Sequence, residues 1–137
     1  MAQQDNLAKV KAGYAAWNDH KGNSLDVWRE IMDESFHITS MAEGTAGLSF
    51  AVDRKSREGS LKYLAGIFDE WEMVHYTPET FVSDGENVSM FGKCAYRYKK
   101  TGKVAECRVA NLWRFKDGKA IELTDVWDTA AAARAAI

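Results

Sequence analysis

Residues 103–128 read KVAECRVANLWRFKDGKAIELTDVWD, and this stretch decides the fold. Cys107, Val109, Asn111, Trp113 and Phe115 recur at every second position, the spacing of side chains on one face of a β-strand. Asp117-Gly118 then turns the chain as a tight hairpin. On the strand that follows, Lys119 to Asp128, the residues Ile121, Leu123, Asp125 and Trp127 share a face. Working backwards, Lys100-Thr101-Gly102 is another turn. Before it, residues 86–99 put Met90, Cys94, Tyr96 and Tyr98 on one face, with Gly92 between them. Asp84-Gly85 turns the chain once more. Trp71 to Ser83 reads as a strand interrupted near Pro78, hence an edge or bent strand, because proline cannot donate to a ladder. The second half is therefore an antiparallel meander.

The first half has a different period. Leu7, Val10, Tyr14 and Trp17 recur at three- and four-residue steps and predict an amphipathic helix over residues 3–19, ended by Lys21-Gly22-Asn23. Ser24 is placed to cap a second, short helix in which Leu25, Trp28, Ile31 and Met32 face the core. Glu34 to Met41 reads as a strand. Residues 42–53 hold two glycines and several small residues, as a loop or pocket rim would. Ser56 opens a third helix with Leu61, Leu64, Ile67 and Phe68 on one side and Tyr63 beside them. Thr129 to Ile137 is an Ala-rich tail with helical propensity. Helices first and a meander last predict an α+β fold, a single domain over residues 1–137, with helices packed on the concave side of a twisted sheet.

The chain has 137 residues, 46% hydrophobic and 28% charged, with a formal charge of −2. Length and composition suit one globular core that needs no disulfide or metal. The slight negative charge argues against nucleic-acid and anionic-membrane partners. Lys99, Lys100 and Lys103 form a local basic run at a hairpin tip, and Asp53, Arg54, Lys55 and Arg57 read as a solvated rim. Met1 to Asn6 is polar and no apolar run is long enough to span a membrane, so the expected location is the cytoplasm. Cys94 and Cys107 flank one turn and are expected as reduced thiols there, opposing each other on adjacent strands. No metal or cofactor is expected, since two cysteines without nearby histidines fall short of a zinc site.

The polar residues at inward positions carry the functional reading. Asn111 and Asp125 each sit among large apolar neighbours. Burying such a group unpaired costs about 1–3 kcal/mol, and more for a charge. A pocket accounts for them: an apolar wall raises a carboxylate's pKa and suits it to general base or acid work. The alternative for Asp125 is a structural hydrogen bond. Tyr14, Trp17, Tyr63, Tyr96, Trp113 and Trp127 are expected around the same space, where rings with polar tips orient a small molecule. Tyr14 and Tyr96 are the candidate donors, and Cys94 shares their face. Thr39 and His37 share a parity on the first strand. His37 is a candidate base by its ordinary pKa, but Phe36 and Ile38 opposite look more core-like.

The order of elements and several local strings resemble the nuclear-transport-factor-two-like superfamily, in its SnoaL-like and ketosteroid-isomerase-like branch. The strings are Tyr14-Ala15-Ala16-Trp17-Asn18, Asp33-Glu34-Ser35-Phe36, the run from Leu112 to Lys119, and Asp125-Val126-Trp127-Asp128. The resemblance spans nearly the whole chain. It implies a cone-shaped α+β barrel with a deep pocket, and a homodimer formed through the sheet. It places Asp125 where the cyclases and limonene epoxide hydrolase keep an acid/base aspartate. Asn111 falls where the isomerases carry a protonated aspartate that donates to the oxyanion. Thr39 falls near the isomerase base and cannot abstract a proton. The isomerase's oxyanion tyrosine aligns nearer Gly13 than Tyr14. The hydrolase's Arg–Asp pair would lie around Cys94 and Tyr96. Steroid isomerisation and epoxide opening by those constellations are therefore not expected.

The expectation is a pocket for a small apolar or carbonyl-containing ligand. Asp125 would move a proton, with Asn111 and a tyrosine polarising a carbonyl. A non-catalytic binding or protein-interaction module on the same fold is the alternative.

Overall fold

The computed structural model describes residues 2–42 and 48–137. In chain order the elements are α1 (Ala2–Asp19), α2 (Leu25–Ile31), β1 (Met32–Ser40), α3 (Arg57–Glu70), β2 (Trp71–Ser83), β3 (Asn87–Tyr98), β4 (Val104–Lys116), β5 (Lys119–Trp127) and α4 (Thr129–Ala135). The strands form one sheet in the order β1-β5-β4-β3-β2. The pairs β2–β3, β3–β4 and β4–β5 are antiparallel, and β1 joins β5 in parallel. β1 and β2 are the two outermost strands and are not neighbours, so the cone is an open, curved sheet and not a closed barrel.

The alternation read in β3 and β4 sets the inner face. Cys107, Val109, Asn111, Trp113 and Phe115 are buried, while Glu106, Arg108, Arg114 and Lys116 are exposed. Against this face α1 packs over β2 and β3, α3 over β1 and β2, and α4 over β4. Each large side chain buried here, such as Trp113, Tyr63 or Phe36, stabilises the fold by about 1.5–3 kcal/mol.

β2 departs from simple alternation. It is continuous through Pro78, but its pairing with β3 slips between Met73 and His75 and again between Pro78 and Thr80. Each slip is a β-bulge, which bends the strand and exchanges its faces. Trp71 and Met73 point inward before the first bulge, and Tyr76 points inward after it. Close to the second, a Cβ on Gly92 would lie 2.4 Å from the Thr77 carbonyl oxygen. Only glycine lets the two backbones close there, and the sheet curls over α1 as a result.

Other local differences have simple causes. The first strand starts at Met32, so Met32 enters the core from β1 and not from α2. Ser24 precedes α2, but its hydroxyl is buried without a partner and makes no cap. Ser56 does cap α3, its Oγ accepting from Gly59 N–H at 3.0 Å. Tyr63 and Leu64 are the most buried apolar residues of α3, with Leu61, Ile67 and Phe68 packed at the core's margin. Of the loop expected at 42–53, residues 43–47 lie outside the described residues. The remainder sends Leu48, Phe50 and Ala51 into the core and ties Arg54 to Ile38 by a single bridge.

Candidate functional site

A cavity of about 90 Å³ opens between the inner face of the sheet and the helices. Its wall is mainly aromatic and aliphatic, with Asn111 and Asp125 among the few polar groups. Asn111 and Asp125 stand directly opposite each other on β4 and β5. Asn111 Nδ2–H donates to Asp125 Oδ1 at 2.7 Å and to the Ala110 carbonyl at 3.0 Å. Asn111 Oδ1 accepts from two tyrosine hydroxyls, Tyr14 at 2.5 Å and Tyr76 at 3.1 Å. The amide is fully used, and the reverse orientation would set its oxygen against a carboxylate and a carbonyl. The network therefore fixes the side chain.

The other Asp125 oxygen, Oδ2, accepts from the Tyr63 hydroxyl at 3.0 Å. Tyr63 also lies 3.1 Å from Ser40 Oγ. A hydroxyl has one proton, so with the Tyr63 proton on the carboxylate the Ser40 hydroxyl donates to Tyr63. Tyr14 is held in turn by the Trp113 indole N–H at 2.8 Å. Around the pair the rings interlock: Tyr14 stacks on Tyr76 at 5.6 Å and Trp28 on Trp113 at 4.7 Å.

Burial pushes the Asp125 carboxyl up to about 6, against the opposing pull of the hydrogen bonds from Tyr63 and Asn111. Desolvation by the apolar wall outweighs two donors, and the group is left able to hold or release a proton near neutral pH. Burial also drives the hydroxyls of Tyr14, Tyr76 and Tyr96 well above the ordinary tyrosine value, so they remain proton donors. The Tyr14 and Tyr76 protons are spent on Asn111. The Trp17 indole pulls the Tyr96 hydroxyl the other way, and among the described residues no acceptor takes the Tyr96 proton.

The SnoaL-like domain model matches residues 10–123. The chain belongs to the SnoaL-like domain family. Solved structures agree in fold. An NTF2-like protein from Burkholderia thailandensis is 24% identical over 95% of each chain, with a TM-score of 0.79. A protein from Jannaschia described as a SnoaL-like polyketide cyclase is 18% identical over 97% of this chain and 92% of its own, with a TM-score of 0.79. TerC, co-crystallized with polyporic acid, is 20% identical over 96% of this chain and 98% of its own, with a TM-score of 0.78. At these identities the likeness concerns the fold. A search of the curated proteins finds no match.

The SnoaL-like cavity gathers most of the residues singled out in the sequence. Tyr14, Trp17, Cys94, Tyr96, Trp113 and Trp127 line it together with the Asn111–Asp125 pair. Tyr63 reaches the site by its hydroxyl on Asp125. Thr39 does not line the cavity. Phe36, Ile38 and Ser40 take the inner face of β1, which leaves His37 and Thr39 on the outer one. There His37 Nε2 meets Glu122 at 3.0 Å, beside the Glu122–Arg114 ion pair.

Among the contributors not anticipated at the site, four come from bulged, helical or irregular segments. Tyr76 arrives through the first bulge of β2, which plain alternation cannot show. Trp28 was read as core and also forms wall, and nothing in its spacing distinguishes the two. Leu48 and Phe50 come from the irregular segment, where Phe50 stacks on Trp127 at 6.1 Å.

Proposed function

We propose that the cavity binds a small, largely apolar carbonyl compound and that Asp125 moves a proton on it, in an isomerase, cyclase or lyase reaction. One observation carries this reading: a carboxyl group raised to about 6 faces an aromatic-walled cavity, oriented from both sides by Asn111 and Tyr63. A base whose pKa lies near the working pH transfers protons most effectively. In this reading Tyr96 is the donor to the ligand's carbonyl oxygen, since its proton is uncommitted. Asn111 acts as a positioning residue for Asp125, because both of its N–H bonds are engaged. A dry site strengthens such a hydrogen bond as charge develops on the oxygen. The SnoaL-like family and the cyclase-like fold support small-molecule chemistry of this type. TerC, co-crystallized with polyporic acid, supports a small-molecule ligand on this fold.

The test needs no prior substrate. Simple cyclic ketones are incubated with the protein in deuterated buffer, and loss of α-protons is followed by NMR. Wild type accelerates exchange with a midpoint near pH 6, and Asp125→Asn does not. Ketones that bind but exchange no faster than in buffer would overturn catalysis.

A second reading has its own support. Both Asp125 oxygens already hold a hydrogen bond, as a structural or ligand-orienting carboxylate would. Each oxygen retains a second lone pair, so the geometry leaves room for a substrate proton. Binding without exchange in the same experiment favours this non-catalytic module.

We also propose a homodimer through the outer face of the sheet. Phe91, Ala110 and Val126 form one row across β3, β4 and β5 on that face, and Phe91 is 49% exposed. Sedimentation of wild type and Phe91→Lys tests it: the variant is expected to be monomeric where wild type is dimeric.

A further inference from the structure

The cavity wall holds a carboxyl group and no cation. Among the described residues no Lys, Arg or His lines it, and the segment from Glu43 to Gly47 contains no basic residue. The groups that favour the ionised form of Asp125 are the Tyr63 hydroxyl and the Asn111 amide, both neutral. Buried charges are normally paired. An ionised Asp125 therefore leaves the cavity with an unbalanced negative charge in apolar surroundings, where attraction for a cation is stronger than in water.

The rings around that charge suit a cation. Trp113 pairs with Leu123 and is thus a diagonal neighbour of Asp125, and Trp127 lies two residues further along β5. Diagonal neighbours across a ladder lie about 7–8 Å apart, within reach of long aromatic side chains. Both indoles line the cavity with Asp125. A cation is drawn to the face of an aromatic ring, and most strongly to tryptophan. Trp17, Trp28, Tyr76 and Tyr96 extend the same wall from α1, α2, β2 and β3.

Hydrogen bonding decides which cation fits. Both Asp125 oxygens and the Asn111 oxygen already accept hydrogen bonds. A primary ammonium brings three N–H donors, and a buried donor left unpaired is costly. A quaternary ammonium brings charge and methyl groups and no donor. We propose that the cavity is a binding site for a small quaternary ammonium ion, held by the charge of Asp125 and by the indole rings of Trp113 and Trp127. The proposal goes beyond the carbonyl reading and does not rest on it, since it needs the cavity and the carboxylate but no proton transfer.

Binding then depends on pH through Asp125. Facing it are Tyr14 of α1, Tyr63 of α3, Tyr76 of β2 and Tyr96 of β3, all pushed up by burial and so protonated when Asp125 titrates. Cys94 is likewise pushed up, by its pairing with Cys107 across the ladder and by burial. Cys107 is the remaining titratable group lining the cavity among the described residues. Beyond the wall, Asp53 acts on Tyr63, and Asp128 and Arg134 act on Cys107. The Asp125 carboxyl sits at about 6, so the cation binds above that value and is released below it.

The probes are tetramethylammonium, methylammonium and tert-butanol, the last a neutral molecule of similar shape to the first. Each is titrated into the protein at pH 8 and pH 5, followed by tryptophan fluorescence, with sodium chloride holding the ionic strength constant. At pH 8 tetramethylammonium is expected to bind about tenfold more tightly than tert-butanol and more tightly than methylammonium. Its affinity should fall about tenfold at pH 5, while that of tert-butanol stays constant. Asp125→Asn should bind tetramethylammonium and tert-butanol alike at both pH values, which separates Asp125 from Cys107. Trp127→Leu should weaken the cation about fivefold and tert-butanol less. Equal affinity for tetramethylammonium and tert-butanol at pH 8, a preference for methylammonium, or a cation affinity indifferent to pH in the wild type overturns the proposal. So does the absence of tetramethylammonium binding. The ketone exchange experiment on the same preparation reports on the carbonyl reading separately.

Discussion

Asn111 donates to Asp125 across the β4–β5 ladder at 2.7 Å, while its own oxygen is held by two tyrosine hydroxyls. The amide thus transmits the order of two helix- and strand-borne rings to a single carboxyl group. In the proposed proton transfer, preorganisation of this sort would place the acceptor without reorganisation.

The Asp125 carboxyl makes stability depend on pH in a defined direction. Its folded value of about 6 lies above the ordinary 3.8. Between those values the native state binds more protons than the unfolded chain, so this group's contribution falls as pH rises through the window and is constant above it. The full loss is about 3 kcal/mol. Urea unfolding of wild type and Asp125→Asn between pH 4 and 7 should show the variant gaining on wild type by up to that amount. A constant difference across the range would contradict the assignment.

Asn111→Asp sets a second carboxyl against Asp125. Two like groups at hydrogen-bond distance cannot both ionise readily, so the pair should share a proton. Carbon-detected NMR of the side-chain carboxyls is expected to show two coupled steps, the upper one above the value for Asp125 alone. Two independent, ordinary carboxylate titrations would show that the amide does not touch Asp125.

Tyr14→Phe and Tyr76→Phe remove hydroxyls from the same acceptor but differ in consequence. Tyr14 also accepts the Trp113 indole N–H, so its loss strands a buried donor. The expected cost is about 1–3 kcal/mol for Tyr14→Phe and about 0.5–1.5 kcal/mol for Tyr76→Phe, which leaves Asn111 Oδ1 its other donor. Chemical denaturation gives both values, and the reverse ranking would contradict the network.

Gly13→Ala tests the wall from behind. Alanine favours a helix interior, yet a Cβ at Gly13 would lie 2.2 Å from the Trp28 ring, which stacks on Trp113. Overpacking of this kind costs about 1–3 kcal/mol and outweighs the gain in helix propensity. A lowered melting temperature with altered near-ultraviolet circular dichroism is expected; a more stable variant would show that Trp28 yields freely.

The meander and its inner face were legible because β3 and β4 alternate between strong turns; β5 alternates only from Glu122 onward, because a bulge at Ile121 takes that residue off the face of Leu123 and puts Ala120 inside. That alternation gave Asn111, Asp125, Tyr96, Trp113 and Trp127, and helical periodicity gave Tyr14 and Trp17. β2 was less legible, since bulges after Met73 and Pro78 break the parity on which Tyr76 depends. Thr39 was carried by a likeness to a neighbouring position in a family, whereas burial of Phe36 and Ile38 fixes the opposite face of β1. That Asn111 is saturated is a tertiary fact. Its partners come from α1, β2, and β5, and no local pattern joins them.

The parallel pairing of β1 with β5 bears on how the chain is made. Met32 to Ser40 finds its parallel ladder partner in Ala120 to Asp125, far along the sequence. A contact of such long sequence separation forms late and slowly. As the chain leaves the ribosome, the first strand waits with an open edge until the last one emerges. Asp125 lies on that last strand, paired with Ser40. The Asp125 carboxyl is therefore delivered by the closing step of assembly, and a nascent chain stalled before it has the walls of the cavity without that group.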